Sequence, residues 1–378
     1  MEEKLWKACE EGKVEEVIKG LQNEQININW QNQNDHLRTP FNVACWKGQS
    51  DIVKLLLNDQ RVHINSVNEY GSSPFYVACE SGQTEIVKLL LNDNRVAINK
   101  PSNNGLTPFL IACSRGHTEV VKLLSKDERI DINKSDVDGW TAFNLTCCYG
   151  HIEIVKLFLN DNRVDINKVN EYNTTPFHSA CERGHIEIVK LLLNDKRVDI
   201  NKEDNANWTP FHRACSNGHI EVVKLLLSDN RVDINQVVYG GWTPFYIACE
   251  SGQTEIVKLL LNDKRIKASN NEGLTPFYSA CENGHTEVVK LLLNDNRVDI
   301  NKVEKDGWTP FYVACQNGHI ETVKLLLNDK RISIRKKTNK GKTAFDIGKT
   351  KNHSEIVKLI KELDTGNYQI INKKLYNT

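Results

Sequence analysis

Residues 307–329 read GWTPFYVACQNGHIETVKLLLND, and the fold turns on whether this stretch is chemistry or architecture. Cys315, His319 and Glu321 fall within seven positions, which taken alone would suit the start of a metal site. The rest of the chain points the other way. Cysteine recurs at 45, 79, 113, 147, 181, 215 and 249, a constant step of 34 residues. Thr-Pro-Phe follows the same period, starting at Thr39, Thr107, Thr175, Thr209, Thr243, Thr275 and Thr309. Ser73-Pro74-Phe75, Thr141-Ala142-Phe143 and Thr343-Ala344-Phe345 are its variants. Eight of the nine prolines lie in this triplet, so proline marks one recurring structural position. A fixed period of this size is the signature of a repeat array.

Each unit reads alike. Thr or Ser is a good N-cap, its hydroxyl accepting an otherwise orphaned backbone N–H. Pro follows at the first helical position, where its missing N–H is no loss. A short helix through "FYVAC" is predicted to stop near a Gly such as Gly318. A second helix, "HIETVKLLLND", places Val323, Leu326 and Leu327 on one apolar face. Glu321 and Lys324, three apart, can pair on its exposed side. "NRVDIN" then leaves the helix as an extended segment, and a polar turn leads to the next triplet. The unit is therefore two short antiparallel helices and a projecting hairpin-like loop. Neither helix buries its apolar face alone, so the units must stack.

With these residues in view, "DGWTPFYVACQNGHIETVKLLL" resembles the ankyrin repeat, a 33-residue unit with a T-P-L-H-x-A signature. Phe replaces Leu, and His holds the fourth place only at His178 and His212. The resemblance covers about residues 3 to 363 and rests on ten copies of the triplet or its variants. It implies an all-α fold, an ankyrin-repeat α-solenoid of stacked helix-turn-helix units with projecting β-hairpin loops. Residues 1–363 are then a single repeat domain of eleven units. Residues 1–33 form an N-terminal capping repeat, 34–337 nine internal repeats and 338–363 a C-terminal capping repeat, with 364–378 a tail. Both caps depart from the pattern: the first lacks Thr-Pro-Phe, and the last puts Gly348-Lys349 in place of Ala-Cys. Most units carry one extra residue, in "NDxRVDIN", and Asn there is expected to take the left-handed conformation that ends a helix. From Thr243 to Thr275 the step shrinks to 32, predicting a shortened loop near 266–273, either by drift or as a functional seam.

Bulk composition narrows the function. Lys plus Arg and Asp plus Glu both total 49, giving zero formal net charge, which argues against nucleic acid as partner. Opposite charges also interleave unit by unit, which leaves no large single-sign surface for a phosphate backbone. The acidic, amphipathic start has no secretory character, and no apolar run approaches the roughly 18 residues a membrane span needs. Eleven cysteines, unpaired in spacing except for adjacent Cys147 and Cys148, suggest reduced thiols. A soluble monomer without membrane insertion is expected, cytoplasmic with the nucleus as alternative.

Candidate chemistry fares poorly. Stacked helices lie roughly 9 to 10 Å apart, too far for disulfides between ladder cysteines. Those cysteines are expected to be small core residues, with Cys148 alone in a normally exposed slot as a candidate reactive thiol. Histidine recurs at 117, 151, 185, 219, 285 and 319 but gives way to Gln49, Gln83 and Gln253, which a metal ligand would not tolerate and a hydrogen-bonding role at a helix start would. The His-x-Glu step also occurs in zinc deaminases, but the Pro-Cys-x-x-Cys partner that completes their site is missing. An acid in the first helical turn complements the helix dipole instead. No phosphate loop or dinucleotide fingerprint is present. The expectation is no catalytic residue, no metal and no cofactor.

What varies on top of the period is more informative. The slot before each cap holds Trp140, Trp208, Trp242 and Trp308, and Arg, Ser, Leu, Thr or Lys in other units. The end of the first helix supplies Trp46, Tyr149 and Arg183. In ankyrin proteins these places commonly contact partners, and Trp is a preferred interface residue. The alternative is that each Trp only packs on the neighbouring loop. The reading is a non-catalytic scaffold or adaptor binding a protein partner through the concave face and hairpin tips. A regulatory subunit or inhibitor masking a partner's functional surface is the alternative.

Overall fold

A computed structural model of the chain describes residues 1–238, 240–267 and 274–364. Among them are twenty-two helices, arranged as short consecutive pairs. Pro108–Arg115 shows how the sequence builds one. Thr107 sits in extended conformation, and its hydroxyl accepts the N–H of Leu110 at 3.2 Å. Pro108 opens the helix, and Gly116, at φ +76°, closes it in the left-handed region where a side chain is strained. Where the third helical residue carries a side chain that can accept the cap N–H, the cap is reinforced: Thr141 with Asn144, Thr209 with His212 and Thr343 with Asp346 each form a reciprocal capping box. The second helix of that pair, Thr118–Leu124, buries Val120, Val121 and Leu124.

The chain divides into two compact units, Met1–Ala180 with His185–Asp199, and Cys181–Gly184 with Ile200–Thr378. In the first, Glu2–Glu11, Pro40–Lys47, Pro74–Glu80, Pro108–Arg115 and Ala142–Tyr149 pack in succession as one layer. Their partners, from Val14–Leu21 to Ile152–Leu159, form a second layer that Ile186–Asn194 extends. The other unit repeats this plan. Pro210–Ser216 to Ala344–Thr350 make its first layer and Ile220–Ser228 to Ser354–Asp364 its second. The core lies between the layers, with Phe109, Ala112 and Cys113 of one repeat at 2%, 0% and 0% exposure. The same three positions are buried at Phe311, Ala314 and Cys315.

The loops differ from their expected form. "RVDIN" is a run of turns rather than an extended strand, and among the described residues β-pairing is limited to isolated bridges, Asn32–Arg38 and Ser135–Thr141. The valine and isoleucine of each segment are buried as pegs, for example Val96 and Ile98, both at 6%. Nor does the asparagine of "ND" turn left-handed: Asn92 and Asn160 keep right-handed values, φ −79° and −88°. The reason lies in the neighbouring repeat. Arg129 pairs with Asp127 and donates through Nη2 to the Leu91 carbonyl at 2.9 Å, at the end of the preceding second helix. Arg163 does the same to Ser125 at 2.7 Å, and in the other unit Arg331 does so to Leu293 at 2.7 Å. A helix end leaves carbonyls without intrahelical partners, and here an arginine supplies one. The expected shortened loop falls mainly on 268–273, outside the described residues, and of the expected tail, 364–378, Asp364 ends the last helix while 365–378 lie outside the described residues.

Asparagines complete the stitching. Asn133 donates to the Arg163 carbonyl at 2.7 Å, while its Oδ1 accepts the Asp165 N–H at 2.9 Å. Asn65, Asn99 and Asn167 donate equivalently, as do Asn235 and Asn301 in the other unit. Each amide therefore ties one repeat to the next. Asn133→Ala removes both bonds and is expected to lower stability by about 1 to 2 kcal/mol. Asn133→Asp, which keeps the acceptor, should lose less than Ala; urea unfolding of the two variants checks the order.

Candidate functional site

The repeated polar residues are committed to the frame. All eleven cysteines are buried free thiols. Burial pushes Cys9 up to about 12 and raises Cys45 and Cys79 well above the usual thiol range, which removes nucleophilic thiolate there at neutral pH. Cys148, expected to be an exposed thiol, is buried at 9% exposure. The next repeat closes over that helix end, where His185 Nε2 lies 2.9 Å from the Cys148 carbonyl.

That contact is the general role of the recurring histidine. The side chain caps no N–H of its own helix. Instead Nε2 reaches back to the previous repeat, His117 to the Glu80 carbonyl at 2.8 Å and His319 to that of Glu282 at 2.7 Å. Gln83 makes the same bond to Trp46 at 3.2 Å, which is why Gln can replace His. The ring also lies over the preceding repeat's glycine. A Cβ at Gly284 would fall 2.5 Å from His319 Nδ1, so that glycine is fixed by its neighbour as well as by φ. Glu321 pairs with Lys324 at 2.8 Å. Cys315, His319 and Glu321 thus serve three separate structural ends. Among the described residues no group of three or more His, Cys, Asp or Glu side chains is arranged to hold a metal.

Most of the varying slots are partly open, with Ser72 and Thr174 buried at 5% and 8%. In the first unit, Trp46 is half-buried, with Arg38 at 4.2 Å and Lys47 at 4.1 Å over its ring. Trp140 is half-buried in the slot before Thr141, and Tyr149 is 56% exposed. A groove of about 430 Å³ opens nearby, lined by Arg38, Tyr70, Tyr76, Ser102 and Arg115 among others. In the second unit, Arg183 is exposed at a helix end and Trp208, Trp242 and Trp308 are half-buried. Each of these three Trp rings packs on the residue four positions on. Trp242 stacks on Tyr246 at 5.5 Å and 6°, and Trp308 meets Tyr312 at 5.4 Å and 37°. Trp208 meets His212 at 6.1 Å, while Arg213 lies over its other side at 4.9 Å. Intra-repeat packing and partial exposure therefore coexist. The sequence reading missed the tyrosines beneath; the signal was their recurrence at 246, 278 and 312, directly after the triplet.

His212 adds a pH-sensitive element. The Thr209 N–H donates to its Nδ1 at 3.2 Å, so the ring must be neutral there. Burial pulls its pKa down from 6.5 to about 4. The unfolded chain therefore takes up this proton first as pH falls. Stability from the neutral ring is complete above about pH 6.5 and is lost progressively toward pH 4. His212→Tyr, the residue at the equivalent positions 246 and 312, should gain up to about 3 kcal/mol on the wild type between pH 7 and pH 4. Denaturant titrations at the two pH values read this directly.

Helix pairs of fixed period, capped alike and stitched by side chains one repeat apart, define an α-solenoid of short repeats. The family described as ankyrin repeats (3 copies) matches residues 5–102, 92–170, 159–238, 232–304 and 296–370. The chain belongs to the ankyrin repeat family. Ankyrin repeats are generally protein–protein interaction modules, and the family is typically non-catalytic. No curated protein matches the chain. Among the described residues no helix is long and apolar enough to cross a membrane.

Proposed function

We propose that this chain is a non-catalytic scaffold or adaptor that binds a protein partner through its first-helix layer and loop tips. One observation carries the reading. The recurring Cys, His or Gln, Arg and Asn positions are buried or hydrogen-bonded to a neighbouring repeat, whereas most positions that vary are partly open. Trp46, Trp140, Tyr149, Arg183, Trp208, Trp242 and Trp308 all belong to the second group. A rigid frame keeps its varying side chains ordered before binding, which reduces the ordering entropy of association. Half-buried Trp suits this role, since it offers a large face with little conformational freedom to lose.

The proposal also takes the chain as one repeat domain over 1–363, acting as a monomer in the cytoplasm or nucleus. Substituting Trp208, Trp242 and Trp308 together by Ala should reduce partner capture at least tenfold while unfolding stays cooperative. The partner for this assay comes from proximity labelling in the native cell. Undiminished capture by the triple variant would contradict the reading.

A further inference from the structure

In the second unit, Glu250 and Glu282 each end a first helix, Glu304 accepts the Trp308 N–H at 3.2 Å, and Trp242 stacks on Tyr246. The acids are half-buried. Burial raises the Glu282 carboxyl above its usual range, and the nearby charge of Glu304 raises it further. Glu250 is raised by burial and then by Glu282. Tyr278 is pushed up by burial and then by the charges of Glu282, Glu304 and Asp306, and the corresponding residues of the first unit, Tyr76, Glu80, Ser102 and Leu106, line one groove. None of the three glutamates makes an ion pair among the described residues, and Lys305 beside them is exposed. The Ser279 hydroxyl, at 0% exposure, lies close enough to the Tyr246 phenol to lower its pKa, yet no well-aligned hydrogen bond completes it.

Elsewhere the protein fills the same two slots with its own cations. Three repeats earlier, Asp204 stands four residues before Trp208, as Glu304 stands before Trp308. Asp204 Oδ1 accepts the Trp208 N–H at 2.9 Å, and Glu304 Oε1 accepts the Trp308 N–H at 3.2 Å. The other Asp204 oxygen holds the guanidinium of Arg213, which lies over the Trp208 ring. At the position corresponding to Arg213 the later repeat has Val313. Likewise, in the first unit an acid ending the first helix is paired by the next repeat: Glu10 with Lys47 at 3.4 Å, and Glu80 with Arg115 at 3.1 Å. The residues corresponding to Arg115 after Glu250 and Glu282 are Asn283 and Asn317. Both internal sources of positive charge are thus replaced by neutral residues while the acids and rings remain. A half-buried carboxylate pair without a counter-charge is unfavourable in the free protein, and a guanidinium between carboxylate and ring relieves it.

We infer that the Glu282–Glu304–Trp308 face binds an arginine side chain from an extended basic segment of a protein partner, seated as Arg213 is seated on Asp204 and Trp208. This rests on the protein-binding reading and specifies the partner's chemistry. Arginine is preferred to lysine because a planar guanidinium can stack on the ring and bond a carboxylate at once.

The test uses the full chain and fluorescent Gly-Ser peptides carrying two arginines, two lysines or two neutral citrullines, followed by anisotropy. The arginine peptide should bind, the lysine peptide at least threefold more weakly and the citrulline peptide not at all. Glu282→Gln with Glu304→Gln should weaken the arginine peptide tenfold or more. The control Glu255→Gln with Glu287→Gln removes the same charge from the second helices and should change binding less than twofold. Equal loss in both double variants, equal binding of citrulline and arginine, or no binding of arginine would overturn the assignment. If capture of the native partner falls in the triple Trp variant yet survives Glu282→Gln with Glu304→Gln, protein binding stands and the arginine seat fails.

Discussion

Every element of this protein depends on one constraint: a repeat cannot close its own surfaces. Its helices are seven to eleven residues long, below the length at which an isolated helix is stable in water. Its polar ends are equally incomplete. The carbonyl at the end of a second helix waits for an arginine 38 residues on, as Leu91 does for Arg129. The carbonyl near the end of a first helix waits for His or Gln 37 residues on, as Glu80 does for His117. Apolar closure and polar closure arrive from the same neighbour, which makes nearest-neighbour coupling the source of stability.

The same constraint explains why motif chemistry dissolves. Cys, His and Glu recur in each repeat for three unrelated reasons: a small core volume, a bond across an interface, and a salt pair on a helix surface. Their proximity in one copy is a consequence of a compact motif. A glycine such as Gly284 is held both by its positive φ and by the ring laid over it, so Gly-His is read as a pair spanning two repeats, with His319 over Gly284.

Much of this was legible from residues alone. Period, caps, first-turn proline and the apolar face at Val323, Leu326 and Leu327 follow from local rules, and the structure agrees with them. The misreadings share a cause. The Asn of "NDxR" is expected to turn left-handed and Cys148 to be open, whereas Asn92 is right-handed and Cys148 is buried. Each outcome is decided by a side chain about one repeat away, and a single unit does not display it. The candidate surface was half legible. The tryptophan slots stand out because they break the period, but the unpaired state of Glu282 emerges only when Asn317 is set beside Arg115. Charge interleaving along the sequence suggested local neutrality; around Tyr278 it fails because the cations of the pattern sit on the second helices, as Lys290 and Lys324 do.

A division of labour results, with repeated positions holding the frame and varying positions facing outward from the first-helix layer. Hydroxyl-radical footprinting of the complex with its native partner tests that division most directly. The account predicts protection at Trp242, Trp308 and the first-helix ends, with the outer Lys-Glu pairs of the second helices as accessible as in the free protein. Protection confined to the second helices, with the tryptophan slots unchanged, would contradict it.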